Sequence, residues 1–270
     1  MKRIFVMILA FSLCSLTLIV GGCGTGHGGA SSPAPGTTGT ASADGQAIAT
    51  NIAMLTIFTA TGPDGYTSAI VASPSPRKMA ISSINADSLP PSSYSAGWWT
   101  LTASTVESGT TIIETAKAKF FGTDSVTEIS SKGALVYGNI GKAAFDSFIS
   151  ISNTLEGRRY DLGTDSAPFY VSGILTATPE YSGPSVFTLT GAKDLSITLN
   201  YNQVAVAKPS YVPISGAINF NVTSSYYQFV TGTLNFNGTR ETVVFSAPSY
   251  LAGVTYYINL ISETVTTEPF

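Results

Sequence analysis

The chain contains almost no cysteine and almost no histidine. Its two cysteines are Cys14 and Cys23 and its single histidine is His27, so neither cysteine nor histidine occurs after residue 27. The chain after His27 therefore has no disulfide, no zinc site built from thiolate or imidazole, and no Ser-His-Asp or Cys-His catalytic arrangement. Catalysis there would need carboxylates, a Ser-Lys pair or a calcium ion held by oxygen ligands.

Charged residues are also scarce, at 11% of the chain against about a quarter in an average protein. Without Lys2 and Arg3, which precede an apolar N-terminal segment, 11 basic residues stand against 16 acidic ones, a net charge of −5. Arg77-Lys78 and Arg158-Arg159 are isolated basic pairs and not runs. We therefore predict that the protein does not bind nucleic acid.

The first 23 residues have the layout of a secretory signal. Lys2 and Arg3 precede an apolar stretch, Ile4 to Val20, and small residues follow at once. The ending Val20-Gly21-Gly22-Cys23 resembles the lipobox of bacterial lipoprotein signal peptides. The resemblance implies cleavage before Cys23, a diacylglycerol thioether on its sulfur, and acylation of the new N-terminus by a fatty acid such as palmitate. An uncleaved membrane helix is the alternative, since the apolar segment of 17 residues is about as long as the shortest helix that crosses a bilayer.

Three regions are expected along the chain. Residues 1–22 form the signal peptide, and residues 23–45 are the lipidated cysteine with a flexible linker of Gly, Ser, Thr, Ala and Pro. Residues 46–270 form a single β-rich domain. We expect a protein of the cell envelope, held on a membrane, with the outer membrane favoured, by the lipid on Cys23. Both orientations, towards the cell surface and towards the periplasm, stay open.

The alternation of apolar residues after Ala47 has a period of two and predicts an all-β fold. The expected architecture is an antiparallel meander of about a dozen strands, arranged as a sandwich or as a partly open barrel. Ile52–Thr59 is expected as the first strand, 62–93 as loops with one short strand near Met79–Ile84, and 141–151 as a strand in preference to a helix. Further strands are expected at Trp98–Val106, Thr111–Phe121, Tyr170–Thr178, Ser185–Thr190, Asp194–Tyr201 and Val254–Ser262.

A repeated motif predicts two neighbouring strands followed by a hairpin. The sequence SGAINFN of Ser215–Asn221 is echoed by TGTLNFN in Thr231–Asn237. Asn237-Gly238 between two alternating runs is a strong signal for a two-residue hairpin turn. With the turn at those two residues, Leu234 would lie opposite Glu241.

Three pairs of adjacent aromatic residues are the candidate binding residues. Neighbouring side chains of a strand point to opposite faces, so each pair places one ring on each face of a sheet. One ring of a pair can pack in the core, while the other is covered by a loop or contacts a glycan, lipid or protein partner. The pairs are Trp98-Trp99, Tyr226-Tyr227 and Tyr256-Tyr257.

Two pairs of carboxylates have spacings found at functional sites. Asp161 and Asp165 have the spacing of a calcium loop but lack the further acidic ligands. Glu107 and Glu114 flank a predicted turn and could face each other across it, as the carboxylates of glycosidases do. Turn-forming aspartates and exposed glutamates are the simpler interpretation of both pairs. We therefore predict no metal, no cofactor and no catalytic residue.

The sequence as a whole favours a non-catalytic binding or scaffolding domain on a lipid anchor, with an unidentified protein, glycan or lipid as its partner. A carrier of lipid or of another apolar ligand, held in a cavity that the sheet encloses, is the first alternative. A carboxylate-dependent hydrolase is the second. A filled core would favour binding or scaffolding, an enclosed cavity would favour the carrier, and clustered inward carboxylates would favour the enzyme.

Overall fold

The structure is a computed structural model, and the residues that it describes contain a long α-helix followed by thirteen strands. Cys23, the predicted signal and most of the predicted linker lie outside those residues, as do Tyr226, Tyr227 and Asp165. The described ranges are 43–72, 92–107, 110–153, 158–163, 169–190, 195–224, 229–238, 240–259, 264–267 and 269.

Helix α1 comes first in the described chain, at Ala43–Ala72. Two short 3-10 helices, Lys132–Ala134 and Tyr137–Asn139, lie between the third and fourth strands. The strands are β1 (Ser93–Ser95), β2 (Trp98–Glu107), β3 (Thr110–Phe121), β4 (Lys142–Asn153), β5 (Arg158–Gly163), β6 (Phe169–Ser172), β7 (Glu180–Thr190), β8 (Leu195–Ala207), β9 (Val212–Ser224), β10 (Val230–Asn237), β11 (Arg240–Ala247), β12 (Thr255–Asn259) and β13 (Thr264–Thr266).

The strands form one antiparallel sheet whose spatial order follows the order of the chain. β5 and β6 lie one after the other between β4 and β7, because each of them pairs with both of those strands. Within the described ranges no pairing joins β13 to β1, so the sheet is not closed. The predicted all-β class and the predicted antiparallel meander are confirmed.

Buried and exposed residues alternate along the strands, which gives the sheet one buried face. On β10 the buried residues are Val230, Gly232, Leu234 and Phe236, and the residues between them are half-buried or exposed. The outward residues of β8, β9 and β10 are mostly serine, threonine and asparagine. Uncharged polar side chains therefore cover the outer face there and contact the solvent in place of charged residues, which accounts for the low charge content of the chain.

The predicted first strand, Ile52–Thr59, is wrong, because this segment lies in the middle of α1. Burial recurs there at spacings of three and four residues, as at Ile48, Ile52, Leu55 and Thr59, which is the period of a helix. Helix α1 as a whole is also rich in alanine, the strongest helix former, with seven alanines among its 30 residues. The sequence pattern was misleading because α1 is buried around much of its circumference, with the neighbouring residues Ile52 and Ala53 both in the core. The segment therefore lacks the polar stripe by which an amphipathic helix is recognised in a sequence.

The predicted loop that begins at residue 62 is also wrong as far as Ala72. Gly62-Pro63-Asp64-Gly65 has the composition of a turn, yet α1 continues through it. A proline inside a helix leaves one carbonyl without its backbone partner and weakens that turn. Contacts with the sheet stabilise the turn here, since Tyr181 donates a hydrogen bond of 2.6 Å to the Ala60 carbonyl and Lys208 donates one of 2.6 Å to Asp64.

Strands from both halves of the sheet contact α1. The helix packs against β2 and β3 and also against β9, β12 and β13, so the sheet curves around it. Ile52 and Ile70 of the helix share one buried cluster with Leu199, Phe220 and Tyr256 of the sheet. The helix therefore occupies the interior of the curved sheet. Among the described residues, no helix has both the length and the apolar character needed to cross a membrane.

Most of the other strand predictions are confirmed to within a few residues. Residues 141–151 belong almost entirely to β4, as favoured over a helix. β6 is shorter than predicted, because the chain turns at Gly173, where φ is +60°. β7 begins five residues before the predicted Ser185, and β8 continues six residues past the predicted Tyr201. Residues 43–45, which were assigned to the linker, are helical, and Met79–Ile84 lies outside the described ranges.

The predicted hairpin is present as β10 and β11, but its predicted register is wrong. Leu234 lies opposite Val243 and not opposite Glu241, and Asn237 pairs with Arg240. The two-residue connection is therefore 238–239. The reason is the third strand of the meander: Asn237 also pairs with Ser215 of β9, which keeps it in the ladder.

From Gly232 to Asn237 the corrected register shifts each cross-strand partner by two residues, so no side chain there changes face. Leu234 and Phe236 stay on the buried face, and Glu241 is buried there with them. Gly238 has a φ of +61°, the left-handed conformation that a tight hairpin turn requires.

Candidate functional site

The two tryptophans lie on opposite faces of β2, as predicted for neighbouring residues of a strand. Trp99 is only 2% exposed, its ring centroid is 4.8 Å from that of Tyr94, and its Nε1 donates a hydrogen bond of 3.1 Å to the Ile129 carbonyl. Trp98 is half-buried on the outer face. Trp99 is therefore a core residue, and Trp98 is the tryptophan that a partner can reach.

The tyrosine pair on β12 is divided in the same way. Tyr256 is fully buried and meets Phe245 edge-on, with 5.5 Å between the ring centroids. Tyr257 is half-buried, opposite Thr242 of β11 and Thr266 of β13. Tyr226 and Tyr227 lie outside the described residues, so Trp98 and Tyr257 are the predicted binding residues that the structure places at the surface. Their role in binding stays a prediction.

Trp98 belongs to a group of aromatic and lysine side chains on the outer face, which we call the outer patch. Its members are Trp98 on β2, Lys119 and Phe121 on β3, Lys142 on β4 and Tyr170 on β6. All five are half-buried, and their chain neighbours point inward. Those buried neighbours are Trp99, Ala118, Phe120, Ala143 and Val171.

Strand register brings the outer patch together. Lys119 lies opposite Ala144, and Ala144 lies opposite Tyr170, so one row crosses three strands. Phe121 lies opposite Lys142 in the next row. Ala144 is 1% exposed although it does not belong to the core cluster, because the larger side chains around it close over it. The patch is therefore a continuous surface.

Each lysine of the patch lies over an aromatic ring. The Lys119 Nζ is 5.5 Å from the centre of the Trp98 ring. The Lys142 Nζ is 4.3 Å from the centre of the Tyr170 ring and 5.6 Å from that of Phe121. The electron-rich ring faces attract the ammonium groups. The patch thus combines flat apolar faces with two positive charges.

Glu128 holds one end of the patch in place. Its Oε1 accepts a hydrogen bond of 2.7 Å from the Tyr94 hydroxyl, and its Oε2 is 3.4 Å from the Lys119 Nζ. The hydrogen bond from Tyr94, followed by the charge of Lys119, lowers the pKa of Glu128, and the same hydrogen bond raises the pKa of Tyr94. Glu128 therefore carries its charge at neutral pH and keeps Lys119 beside Trp98.

A second polar cluster, the Asp64 cluster, lies where α1 meets the loops at one end of the sheet. Asp64 accepts hydrogen bonds from the Lys208 Nζ at 2.6 Å and from the Tyr211 hydroxyl at 2.5 Å. One turn further along α1, the Ser68 hydroxyl is hydrogen-bonded to the Tyr137 hydroxyl. Burial raises the pKa of both Tyr137 and Tyr211.

The chemistry of the Asp64 cluster favours packing over catalysis. Lys208 also donates a hydrogen bond of 2.5 Å to the Ile174 carbonyl, so its amino group has two acceptors. A serine nucleophile needs a base, and the group beside Ser68 is a phenol whose raised pKa keeps it protonated. The cluster joins the C-terminal half of α1 to the sheet.

Of the two carboxylate pairs, only Glu107 and Glu114 both lie in the described ranges, and they do not form a site; Asp165 lies outside those ranges, so the pair of Asp161 and Asp165 stays a prediction. Glu107 lies opposite Thr110 and Glu114 lies opposite Ala103, so the two glutamates do not face each other. Four residues along the strand, about 13 Å, separate their positions. Among the described residues, no group of three or more His, Cys, Asp or Glu could hold a metal ion.

Four members of the outer patch were not predicted from the sequence: Lys119, Phe121, Lys142 and Tyr170. Each one alternates with an apolar inward neighbour, so the alternation on β3, β4 and β6 places it outward. Their proximity depends on which strands pair, and β6 reaches β4 only because β5 and β6 share one position in the sheet. The sequence pattern does not contain that information.

Comparison with known proteins finds no family model, no curated protein and no solved structure that matches the chain.

Proposed function

We propose that the protein is a lipid-anchored binding module of the cell envelope, in which Cys23 carries the anchor and the outer patch contacts the partner without chemical turnover. The observation that carries the proposal is the patch itself, three rings and two lysines on the outer face of adjacent strands. Rigid aromatic side chains that can contact a partner at little entropic cost are typical of binding surfaces.

The filled interior supports binding over the carriage of an apolar ligand. A carrier needs a cavity of about 300–1,000 Å³ beneath its sheet. Helix α1 occupies that position, and Ile52, Ile70 and Leu199 are fully buried where helix and sheet meet.

The Asp64 cluster gives little support to the hydrolase alternative. Its carboxylate, amino and hydroxyl groups are hydrogen-bonded to one another or to a backbone carbonyl. Glu241, a buried inward carboxyl, has apolar residues opposite it on both neighbouring strands, Phe236 and Ile258. A general acid or base has to reach a substrate, and neither the Asp64 cluster nor Glu241 is placed to do so.

The experiment is a co-sedimentation assay with the mature lipoprotein in detergent and insoluble envelope material from cells that lack the protein. The double variant Trp98→Ala/Tyr170→Ala should lose most of the binding while keeping its melting temperature within a few degrees. Phe229→Ala removes another exposed ring, 51% exposed and outside the patch, and should bind like the wild type. Wild-type binding by the folded double variant would overturn the proposal.

A further inference from the structure

We propose that the outer patch recognises an acidic polysaccharide, whose sugar rings stack on the aromatic faces and whose carboxylates pair with Lys142. The inference rests on the proposed binding function and names the chemical class of the partner. It is carried by the arrangement of rings and charges, by the size of the patch and by its position relative to the anchor.

The size of the patch indicates an extended ligand. Trp98 and Tyr170 are separated by three strand-to-strand steps, through β3 and β4. At about 4.8 Å for each step, their positions are about 14 Å apart. A single small anion could bridge Lys119 and Lys142, which are diagonal neighbours on β3 and β4, but it would not span the distance from Trp98 to Tyr170. A chain of several sugar units can cover both rows of the patch.

The five members of the patch carry two positive charges and no negative one, although the chain is acidic. On the same face Lys117 is paired with Asp146 and Lys119 with Glu128. Glu180 lies in the row of Lys142, with Ser172 between them. The chain after the predicted cleavage has a net charge of −5. Within the described residues, the Lys142 amino group contacts the rings of Tyr170 and Phe121 and no carboxylate. Lys142 is therefore available to pair with an anionic ligand.

The lysines lie over the ring faces that a sugar would use, and this selects for an acidic sugar. An exposed contact between an ammonium and a ring is weaker than a charge-assisted hydrogen bond to a carboxylate. A carboxylated sugar can therefore draw Lys142 away from the rings of Tyr170 and Phe121 and stack on the faces that are uncovered, while Lys119 keeps its ion pair with Glu128. A neutral sugar gains no such bond, so the lysines stay over the rings and oppose it.

The position of the patch argues against a membrane lipid as its ligand. Trp98 begins β2, Phe121 ends β3 and Lys142 begins β4, so the patch lies at the end of the sheet where 122–141 connects those strands. In that connection, Tyr137 bonds Ser68 of α1. A helix rises 1.5 Å per residue, so α1 begins about 38 Å from Ser68. The predicted linker thus joins the domain far from the patch.

The position within the sheet also argues against an acidic peptide. Extended peptides commonly bind by adding a strand to a free sheet edge, where backbone groups are unpaired. The members of the patch lie on β2, β3, β4 and β6, and each of these strands is paired on both sides. On β2 the pairing with β1 covers Trp98–Thr100, which includes the patch member Trp98. This surface offers ring faces and amino groups but no open edge.

The test measures the affinity of the mature lipoprotein, reconstituted in phosphatidylcholine nanodiscs without free detergent, for four probes by isothermal titration calorimetry. The probes are an oligogalacturonate of about ten units, a neutral dextran of equal length, polyglutamate, and vesicles of phosphatidylcholine with phosphatidylglycerol. We expect oligogalacturonate to bind best, with an affinity that falls as salt rises. Lys142→Gln should weaken that binding about fivefold. Lys132→Gln, an exposed lysine outside the patch, should change it less than twofold.

Each contrary result has a defined meaning. Equal binding of dextran, tighter binding of polyglutamate or of the vesicles, or no binding of oligogalacturonate overturns the acidic polysaccharide. Equal weakening by Lys132→Gln overturns the assignment of the site to the patch. If Trp98→Ala/Tyr170→Ala still abolishes sedimentation with envelope material, the proposed binding function stands although its ligand class is wrong.

Discussion

Glu241 is a carboxylic acid on the buried face of the sheet, and it makes stability depend on pH. The residue is 4% exposed, its Oε2 has no hydrogen-bond partner among the described residues, and burial raises its pKa from 4.5 to about 8. Below pH 4.5 the carboxyl is neutral in both the folded and the unfolded chain. Between pH 4.5 and about 8 only the unfolded chain ionises, so the free energy of unfolding falls as pH rises.

We predict that Glu241→Gln raises the stability at pH 8 by about 4 kcal/mol and changes it little at pH 4, because each unit of the difference between 4.5 and about 8 is worth about 1.4 kcal/mol. Urea unfolding of both proteins at pH 4, 6 and 8 measures the difference. Glu180→Gln, on an exposed glutamate of β7, is the matched control and should leave the pH dependence of the wild type intact. A constant difference between Glu241→Gln and the wild type over this range would show that the carboxyl does not titrate as described.

The tryptophan pair gives a second prediction at the scale of single residues. Trp99→Ala should cost about 3–5 kcal/mol, because it leaves a cavity beneath Tyr94 and removes the hydrogen bond to Ile129. Trp98→Ala should cost less than about 1 kcal/mol, since it removes a half-buried ring and one contact with Lys119. Urea unfolding compares the two. Equal costs would mean that Trp98 is also a core residue, which would remove it from the binding surface.

At the scale of elements, the hairpin offers a test of backbone conformation alone. Gly238 and Gly138 both have no heavy atom within 4 Å of an added Cβ, but only Gly238 has a positive φ, +61°. Gly238→Ala should therefore cost about 1–2 kcal/mol through backbone strain. Gly138→Ala should be neutral or stabilise the protein by up to about 1 kcal/mol, because it restricts the unfolded chain. Thermal unfolding measures both, and equal effects would contradict a left-handed turn at Gly238.

The elements also show how far local patterns predict this fold. The meander, most of its strands and the position of the hairpin follow from period-two alternation and turn residues. The register of β10 and β11 does not, because Asn237 is held by β9 as well as by its hairpin partner. Helix α1 is not predictable from local periodicity, because strands from both halves of the sheet surround it. A helix inside a curved sheet needs no polar face, so its sequence has no amphipathic pattern.

The candidate site was predictable only in part, for the same reason. Alternation identifies Trp98 as one of a pair that must be divided between two faces, and the structure places it outward. It also marks Phe121 and Tyr170 as outward residues on their strands. Their assembly with Lys142 depends on long-range strand order, which local sequence does not encode.

For the molecule as a whole, α1 determines how the domain would be oriented relative to the membrane. The helix begins where the predicted linker ends, runs through the interior of the sheet, and reaches the patch end through Ser68 and Tyr137. An anchor at Cys23 would thus leave the outer patch on the side of the domain away from the membrane, where an envelope polysaccharide can reach it.

That arrangement depends on Cys23 as the site of the lipid anchor. Only a thiol is nucleophilic enough to take the lipid, and the motif places that thiol after Val20-Gly21-Gly22. In cells fed an alkyne fatty acid, Cys23→Ala should leave the precursor unlabelled and at its unprocessed size. Cys14→Ala, the other cysteine of the chain, lies within the apolar segment and should be labelled and processed like the wild type. Labelled, membrane-bound Cys23→Ala of mature size would place the anchor elsewhere and would contradict a patch that faces away from the membrane.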